Sequence, residues 1–302
     1  MDSSHPPALK RFGQNFLIDH NIARKIIGLA AIQPDETVLE IGPGRGILTR
    51  GLCAEARTVI AIEIDRQLAR LLGRAPTENV SWSGKVMESD VPPLTAECPN
   101  LDLRIGDALE FSYEALPRGT VVVANLPYYV STPLLFKLLE SYSRIDRMVL
   151  MLQTEVALRL VAVPDTKAYG VLSVLTQYGA DMTLAFRVSP HCFRPRPTVG
   201  SAVIFMRIKS RRPLDSTREG HFVKLVRASF AHRRKTLINS LRDEGYQAEP
   251  VSAALARCGF SPMRRAESLS LEDYLALTGA LTGIPLTASS PRWGEGKGEG
   301  GL

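Results

Sequence analysis

The chain has 302 residues, of which 45% are hydrophobic and 23% charged, a balance typical of a soluble globular protein long enough for two domains. The four cysteines form no CxxC pair and no metal-ligand spacing, the first residues lack the apolar stretch of a signal peptide, and no apolar run approaches a membrane-spanning length. We therefore expect a cytoplasmic protein with reduced thiols, without a metal site or a membrane segment.

Short apolar runs alternate with helical patterns through the first two thirds of the chain. Helical spacing predicts helices over 19–31, with Asp19 as N-cap, and over 66–74 and 132–141. The predicted strands are 37–42, 58–65, 101–109, 119–126 and 200–208. Strands this apolar, alternating with helices, indicate a parallel α/β sheet. Residues 76–100 contain four prolines and no clear periodicity, so we interpret them as a long surface loop.

Positive charge is concentrated in residues 207–242, which hold 11 basic and 2 acidic residues, a net charge of +9. Phe222, Val226 and Phe230 fall on one helical stripe there, with basic residues between them. We predict a domain at 1–206, a helical basic domain at 207–286 and a disordered tail at 287–302, which is rich in Gly, Ser and Glu. The charge density exceeds what solvation needs and favours a polyanion partner such as a nucleic acid.

The glycine-rich stretch EIGPGRGILT at 40–49 follows a predicted strand and opens a helix. Gly42, Gly44 and Gly46 let the backbone approach a ligand closely. A dinucleotide-binding loop would read G-x-G-x-x-G, but here the spacing is G-x-G-x-G after an acid. This pattern better suits S-adenosylmethionine, which has no pyrophosphate. The structural alternative is a tight turn.

Two acids follow at the ends of the next predicted strands. Glu63 lies 21 residues after Gly42, where a carboxylate can accept hydrogen bonds from both ribose hydroxyls of an adenosyl group. Asp107 can accept from the adenine amino group. Each acid alone could instead be a helix N-cap. Because ligands bind at the carboxyl ends of parallel strands, we expect both acids in one cofactor pocket.

The fourth strand ends in the turn Asn125, Leu126, Pro127, Tyr128, to which we assign the catalytic residues. Pro127 biases Leu126 towards an extended backbone and can leave its carbonyl pointing outward. The Asn125 side-chain oxygen and this carbonyl then match the two N–H donors of an exocyclic base amine. Tyr128 offers a face for stacking the base, worth about 1–3 kcal/mol. An ordinary β-turn containing proline is the alternative.

Phe193 lies in a second unusual stretch, HCFRPRPTVGS at 191–201, where nearby prolines present its ring rigidly. It could stack on the opposite face of the base, or it could fill the hydrophobic core. The sequence alone leaves both interpretations open.

Taken together, these residues resemble the ribosomal-RNA adenine N6,N6-dimethyltransferase family, which acts on small-subunit rRNA. The resemblance covers nearly all of residues 9–281. Its motifs are KRFGQNFL at 10–17, EIGPGRGILT at 40–49, EID at 63–65, GDAL at 106–109, NLPY at 125–128, FRPRPTVGSAV at 193–203 and RRKTLINSL at 233–241. The combination is far more specific than any single motif.

The resemblance implies an α/β, Rossmann-like class I methyltransferase core with a small all-helical C-terminal domain. It implies that Asn15 and Leu17 line the cofactor pocket with the glycine loop, the two acids and Asn125, and that Tyr128 and Phe193 position the target adenine. S-adenosylmethionine is the expected cofactor. Arg233, Arg234 and Lys235 of the basic helix are the expected RNA contacts. The expected partner is an immature small ribosomal subunit, in which two adjacent adenines are dimethylated. We expect the enzyme to be a monomer.

Two features depart from the family pattern. Tyr129 follows NLPY where the family often carries asparagine. The spacing from Glu63 to Asp107 is longer than usual by roughly twenty residues, which matches the irregular segment 76–100.

Three alternatives remain open at this point. A macrolide-resistance methyltransferase would act on large-subunit rRNA, although NLPY and the basic helix favour the small subunit. DNA adenine methylation uses a similar turn, but leucine follows Asn125 here. A non-catalytic RNA-binding assembly factor would keep the fold, yet the acids and Asn125 are intact.

Overall fold

The computed structural model describes residues 14–73 and 94–282. Most of the predicted loop at 76–100, with Trp82, and the predicted tail at 287–302 lie outside the described residues. The chain divides into two compact units, Met1–Thr154 with Leu184–Arg207, and Glu155–Thr183 with Ile208–Leu302. The functional boundaries at 206 and 286 stay a prediction.

The described strands are β1 (Phe16–Leu17), β2 (Thr37–Ile41), β3 (Thr58–Glu63), β4 (Leu101–Ile105), β5 (Thr120–Asn125), β6 (Ile145–Gln153), β7 (Ala180–Val188), β8 (Phe193–Arg194) and β9 (Ser201–Ile208). The described α-helices are α1 (His20–Ala30), α2 (Thr49–Glu55), α3 (Arg66–Leu72), α4 (Leu94–Glu97), α5 (Ser131–Glu140), α6 (Thr154–Leu160), α7 (Val171–Gly179), α8 (Ser216–Phe230), α9 (Leu237–Asp243), α10 (Ala248–Arg257) and α11 (Leu271–Leu281). The five predicted strands and the three predicted helices are confirmed. Strand β4 is shorter than predicted, because the chain turns at Gly106.

Seven strands form one sheet in the order β4-β3-β2-β5-β6-β9-β7. Strands β2 to β6 pair in parallel with their neighbours, and β9 runs antiparallel to β6. The chain runs from β2 outward through β3 to β4 and then returns to place β5 on the other side of β2. Since the strand order reverses there, the carboxyl ends of β2 and β5 border the crevice in which sheets of this kind bind ligands.

Burial explains why the central strands read as unbroken apolar runs. Every residue of β2 is buried, and Val121 to Ala124 of β5 are at most 1% exposed. A strand covered on both faces has no side that must be polar. Helix α1 begins as predicted, because the Asp19 carboxylate accepts the N–H groups of Asn21 at 2.8 Å and Ile22 at 3.1 Å.

Strands β6 and β7 and the helix α4 were not predicted. Residues 94–97 lie in the segment interpreted as a loop, but they form a helix whose Leu94 is buried with Leu72 and Cys98. Tertiary packing therefore orders a stretch that has no periodic pattern of its own.

The second unit is helical around an aromatic core. Tyr169 and Tyr274 each contact Phe230 with ring centroids 6.1 Å apart, and Tyr178 packs on Phe222 at 4.7 Å. The buried hydroxyls of Tyr169 and Tyr274 donate to backbone carbonyls. The predicted stripe of Phe222, Val226 and Phe230 is confirmed as the buried face of α8.

Among the described residues, no helix is long and apolar enough to cross a membrane. Within the same ranges, no group of three or more His, Cys, Asp or Glu side chains could hold a metal ion.

Arg147 of β6 ties α1 to the sheet and is 6% exposed. Its guanidinium forms two hydrogen bonds to the Glu36 carboxylate, at 2.7 and 2.8 Å, and donates to the carbonyls of Ala30 and Ala31 at the end of α1. These bonds hold the pKa of Glu36 below its usual value. The Arg147–Glu36 pair therefore stabilises the fold at pH values above the usual pKa of a glutamate. This stabilisation is lost as the pH falls through the lowered pKa of Glu36.

We predict that Arg147→Ala lowers the free energy of unfolding by about 3–5 kcal/mol, because the variant leaves a carboxylate and two carbonyls without their donor. Urea denaturation at pH 7 measures this loss. Arg207→Ala is the matched control: its side chain is 58% exposed and pairs with Asp146 at 3.3 Å, so its effect should stay within about 0.5 kcal/mol. Equal losses in the two variants would contradict the assignment.

Candidate active site

A crevice of about 860 Å³, counting the space open to solvent, lies at the carboxyl ends of β2, β3, β4 and β5. It is lined by residues that follow each of these strands and by Gln14, Asn15 and Phe16 from the N-terminal segment. The predicted residues Gly42, Gly44, Glu63, Asp107, Asn125, Leu126, Pro127 and Tyr128 all line it, and so does Asn15. Four separate strand ends thus deliver the predicted side chains to one place.

The glycine loop between β2 and α2 has a backbone that only glycine adopts readily. Gly42, Gly44 and Gly46 have φ of +69°, +58° and +78°. No atom lies within 4 Å of the position that a Gly42 Cβ would take, so a side chain there would project into the crevice. At Gly44 a Cβ would lie 3.1 Å from the Phe16 ring. At Gly42 the loop therefore offers bare backbone to a ligand, whereas at Gly44 the Phe16 ring packs against it.

Glu63 fastens this loop to β3. Its carboxylate accepts the Gly44 N–H at 3.1 Å and the Asp65 N–H at 2.9 Å. Burial raises the pKa of Glu63. Each carboxylate oxygen has a further lone pair, so the group can still accept hydrogen bonds from a ligand in the crevice.

Asp107 combines the two roles that the sequence left open. Its Oδ1 caps the following turn by accepting the Leu109 N–H at 2.8 Å, while the residue also lines the crevice. The capping bond fixes the side chain and leaves Oδ2 without a donor among the described residues.

Among the described residues, the Asn125 side chain forms one hydrogen bond. Its Nδ2 donates to the Asn15 carbonyl at 3.3 Å, which orients the amide and turns Oδ1 away from that carbonyl. Within the described ranges, neither Asn125 Oδ1 nor the Leu126 carbonyl accepts a hydrogen bond, although both residues line the crevice. The Leu126 N–H is used in the sheet, where it donates to Met151 at 3.1 Å. Two neighbouring oxygen acceptors are thereby left for a donor with two N–H groups.

The two tyrosines after Pro127 differ in how they are held. The Tyr128 hydroxyl lies 2.8 Å from the Ser201 hydroxyl of β9, which fixes the ring, and burial raises the pKa of Tyr128. Tyr129 also lines the crevice but is 54% exposed. Burial of its hydroxyl and the negative charges of Asp107 and Glu63 raise the pKa of Tyr129. Tyr129 was noted only as a departure, and its place at the crevice was not predicted.

The N-terminal segment covers one side of the crevice. The Gln14 amide donates to the Asp65 carboxylate at 2.9 Å, and the Arg45 guanidinium lies 4.6 Å from the centroid of the Phe16 ring. Leu17 does not line the crevice: its side chain is 5% exposed and belongs to the hydrophobic core with Ile26. In a strand, successive side chains face opposite ways, so Phe16 takes the place that was predicted for Leu17.

Phe193 also lies outside the crevice. It is 2% exposed, packs in the same core as Leu17, and faces Leu17 across the antiparallel pair of β8 and β1. Of the two interpretations, this position matches core filling and not stacking on a base. Its ring anchors the pair of β8 with β1, and β1 begins with Phe16 directly after Asn15.

The predicted RNA contacts lie together between α8 and α9 in the helical unit. Arg233 donates to the carbonyls of Lys167 and Tyr169, and Lys235 pairs with Asp243. Arg234 is exposed and forms no ion pair with any described residue. Within the helical unit, Arg234 is therefore the member of the three whose charge is most available to a phosphate.

Fold and site define the class: a Rossmann-like class I methyltransferase with a helical second unit. Two solved structures have the same fold. A dimethyladenosine transferase from Plasmodium falciparum matches with a TM-score of 0.72 and 25% identity, covering 87% of this chain and 95% of its own. The 23S rRNA methyltransferase ErmE matches with a TM-score of 0.66 and 26% identity, covering 88% and 99%.

The sequence model of the family described as ribosomal RNA adenine dimethylase matches residues 8–282. Ribosomal RNA small subunit methyltransferase A of Moorella thermoacetica is 40% identical over 283 residues, which cover 90% of this chain and 92% of the relative. The chain belongs to the ribosomal RNA adenine dimethylase family.

Glu40 lies just before the glycine loop and is 1% exposed, with one carboxylate oxygen lacking a partner among the described residues. Burial raises the pKa of Glu40 to about 8. Between about pH 4.5 and pH 8, Glu40 therefore keeps its proton in the folded protein and has lost it in the unfolded chain. The free energy of unfolding falls as the pH rises through this window, because the unfolded chain then binds fewer protons than the fold.

We predict that Glu40→Gln removes a pH dependence of about 1.4 kcal/mol per pH unit from the free energy of unfolding between pH 5 and 8. Urea denaturation across this range gives the slope. Glu55→Gln, at an exposed position of α2, should keep the slope of the unaltered protein. Parallel curves for all three proteins would show that Glu40 is ionised in the fold.

Proposed function

We propose that the chain transfers methyl groups from S-adenosylmethionine to the exocyclic N6 of two adjacent adenines in the terminal hairpin of small-subunit rRNA, during ribosome assembly. The observation that carries the proposal is the pair of unbonded oxygen acceptors, Asn125 Oδ1 and the Leu126 carbonyl, beside two carboxylates and a bare glycine loop. The name of the relative from Moorella thermoacetica supports the small-subunit rRNA target.

The residues of the crevice fit the cofactor. Gly42 leaves room for a ligand against its backbone, and Glu63 and Asp107 provide acceptors for ribose hydroxyls and for an adenine amine. The side chain of Asn15 and the backbone of Gly44 complete this half of the site. When bound, S-adenosylmethionine supplies a methyl group on a positively charged sulfonium, which the surrounding carboxylates favour.

The other half of the site prepares the nucleophile. An adenine amine is a poor nucleophile because its lone pair is delocalised into the ring. Asn125 Oδ1 and the Leu126 carbonyl hold its two hydrogens, favour a pyramidal nitrogen and direct the lone pair into the crevice. Tyr128, locked by Ser201, stacks on the base. No side chain has to act as a base if the proton leaves after transfer, so orientation supplies most of the acceleration.

The remaining parts of the proposal concern the partner. Arg233, Arg234 and Lys235 contact phosphates of the rRNA, with Phe193 supporting the site from the core. The enzyme acts in the cytoplasm as a monomer on an immature small subunit, and it needs no metal.

We predict that Asn125→Ala lowers methyl transfer about 100-fold, because the amine is no longer oriented. The assay incubates the protein with S-adenosylmethionine and unmodified small subunits and detects dimethylated adenine by the stall of a reverse transcriptase. Affinity for S-adenosylhomocysteine should fall only modestly. Asn21→Ala removes an exposed asparagine of the same unit and should leave the rate unchanged.

Full activity in Asn125→Ala would rule out the proposal that Asn125 Oδ1 and the Leu126 carbonyl hold the adenine amine. Methylation of unmodified large subunits instead of small ones would favour a target like that named for ErmE. Absence of transfer to either subunit, with S-adenosylhomocysteine still bound, would favour a non-catalytic assembly factor.

We predict that Arg234→Gln weakens RNA binding and lowers the slope of log affinity against log salt concentration by about 0.7, the value for one phosphate contact on a single strand. Lys235→Gln should change the slope less, because Asp243 already neutralises Lys235. Binding to small subunits at several KCl concentrations measures both slopes. Arg257→Gln on α10 is the control, and an unchanged slope in Arg234→Gln would exclude a phosphate contact.

A further inference from the structure

Arg194 stands beside the mouth of the crevice. The register of β1 and β8 places Phe16 opposite Arg194 and Leu17 opposite Phe193. Residues directly opposite each other in an antiparallel pair project from the same face, and successive residues alternate. Leu17 and Phe193 both enter the core, so Phe16 and Arg194 both project the other way. The Phe16 ring lines the crevice, and Arg194 therefore projects from the face of the strand pair that borders it.

The positive charge of Arg194 is available to a ligand. The residue is exposed and forms no ion pair or hydrogen bond with any described side chain. A second cation lies nearby, because the Arg45 guanidinium covers the Phe16 ring and its buried Nε has no hydrogen-bond partner among the described residues. Residues 182–214 include Arg194 and Arg196 and contain no acid. The chain thus concentrates positive charge next to a crevice whose own charged groups are carboxylates.

We propose that Arg194 binds a backbone phosphate of the RNA next to the target adenosine, at the mouth of the crevice. The inference rests on the proposed function. An enzyme that acts on a base must take that base out of the stack, so the base enters the crevice and its phosphates stay outside. A guanidinium at the rim matches a phosphate in charge and in hydrogen-bond geometry. This contact differs from those of the basic stretch in the helical unit.

The test compares Arg194→Gln with Arg194→Lys and Arg187→Gln. Arg187 is an exposed arginine of the same unit on β7, the edge strand that β9 and β6 separate from β5. Binding of a single-stranded RNA oligomer is measured at several KCl concentrations, and binding of S-adenosylhomocysteine is measured by calorimetry. The RNA assay does not need methylation to occur, so it can be read even if the proposed target is wrong.

We expect Arg194→Gln to lower the salt slope of RNA binding by about 0.7, Arg194→Lys to restore it, and Arg187→Gln to leave it unchanged. Affinity for S-adenosylhomocysteine should be the same in all three variants. On small subunits, KM should rise and kcat should stay constant in Arg194→Gln. An unchanged salt slope would overturn the proposal, as would a loss of S-adenosylhomocysteine affinity, which would assign Arg194 to the cofactor carboxylate. An equal loss of slope in Arg187→Gln would show that the slope responds to net charge alone, and this result would also overturn the proposal.

Discussion

The hydrogen bond from Asn125 Nδ2 to the Asn15 carbonyl is the contact on which the candidate site depends. It decides which end of the amide faces the crevice, and only the oxygen end can accept from an amine. The Asn15 carbonyl is fixed in turn because the next residues pair with β8, and that pair is anchored by Leu17 and Phe193 in the core. A hydrophobic contact between residues far apart in the chain thus controls the orientation of a polar group. This explains how Phe193 can matter for the site without reaching it.

Charge is distributed to suit two different ligands. Inside the crevice the charged groups are Glu63 and Asp107, with Glu40 buried next to the loop, and burial raises the pKa of both glutamates. A sulfonium cation offsets the negative charge of such a site, whereas a phosphate would be repelled by it. Outside it, the exposed cations Arg194 and Arg234 form no ion pair with any described residue. Under the proposed function, the sign of the local charge separates the cofactor from the nucleic acid, and the uncharged base is the part that enters the crevice.

Much of this arrangement follows from sequence, because parallel strands end at one edge of a sheet. Glycine spacing, an acid after β3, Asp107 and the Asn125 turn each mark a strand end, and the topology then brings them together. Strand β7 alternates apolar Met182, Leu184 and Phe186 with exposed Asp181, Thr183 and Arg187, a strand pattern that was not among the predictions. The side on which a residue of β1 faces was not predictable, since a two-residue strand has no period. Leu17 is therefore assigned to the site on resemblance alone, and Phe16 is not predicted there.

The helical unit uses part of its positive charge for contacts within the fold. The net charge of +9 in residues 207–242 suggests a broad cationic surface. In the fold, Lys235 pairs with Asp243, which lies outside this count, and Arg233 donates to the carbonyls of Lys167 and Tyr169. These contacts use cations to stabilise the unit, so the charge left for a phosphate is smaller than the sequence count. Under the proposed function, RNA binding depends on a few exposed arginines at defined positions, and contacts with phosphates at such positions fix orientation as well as attraction. If the proposed pair of acceptors holds one base, that orientation matters more to the reaction than binding strength does.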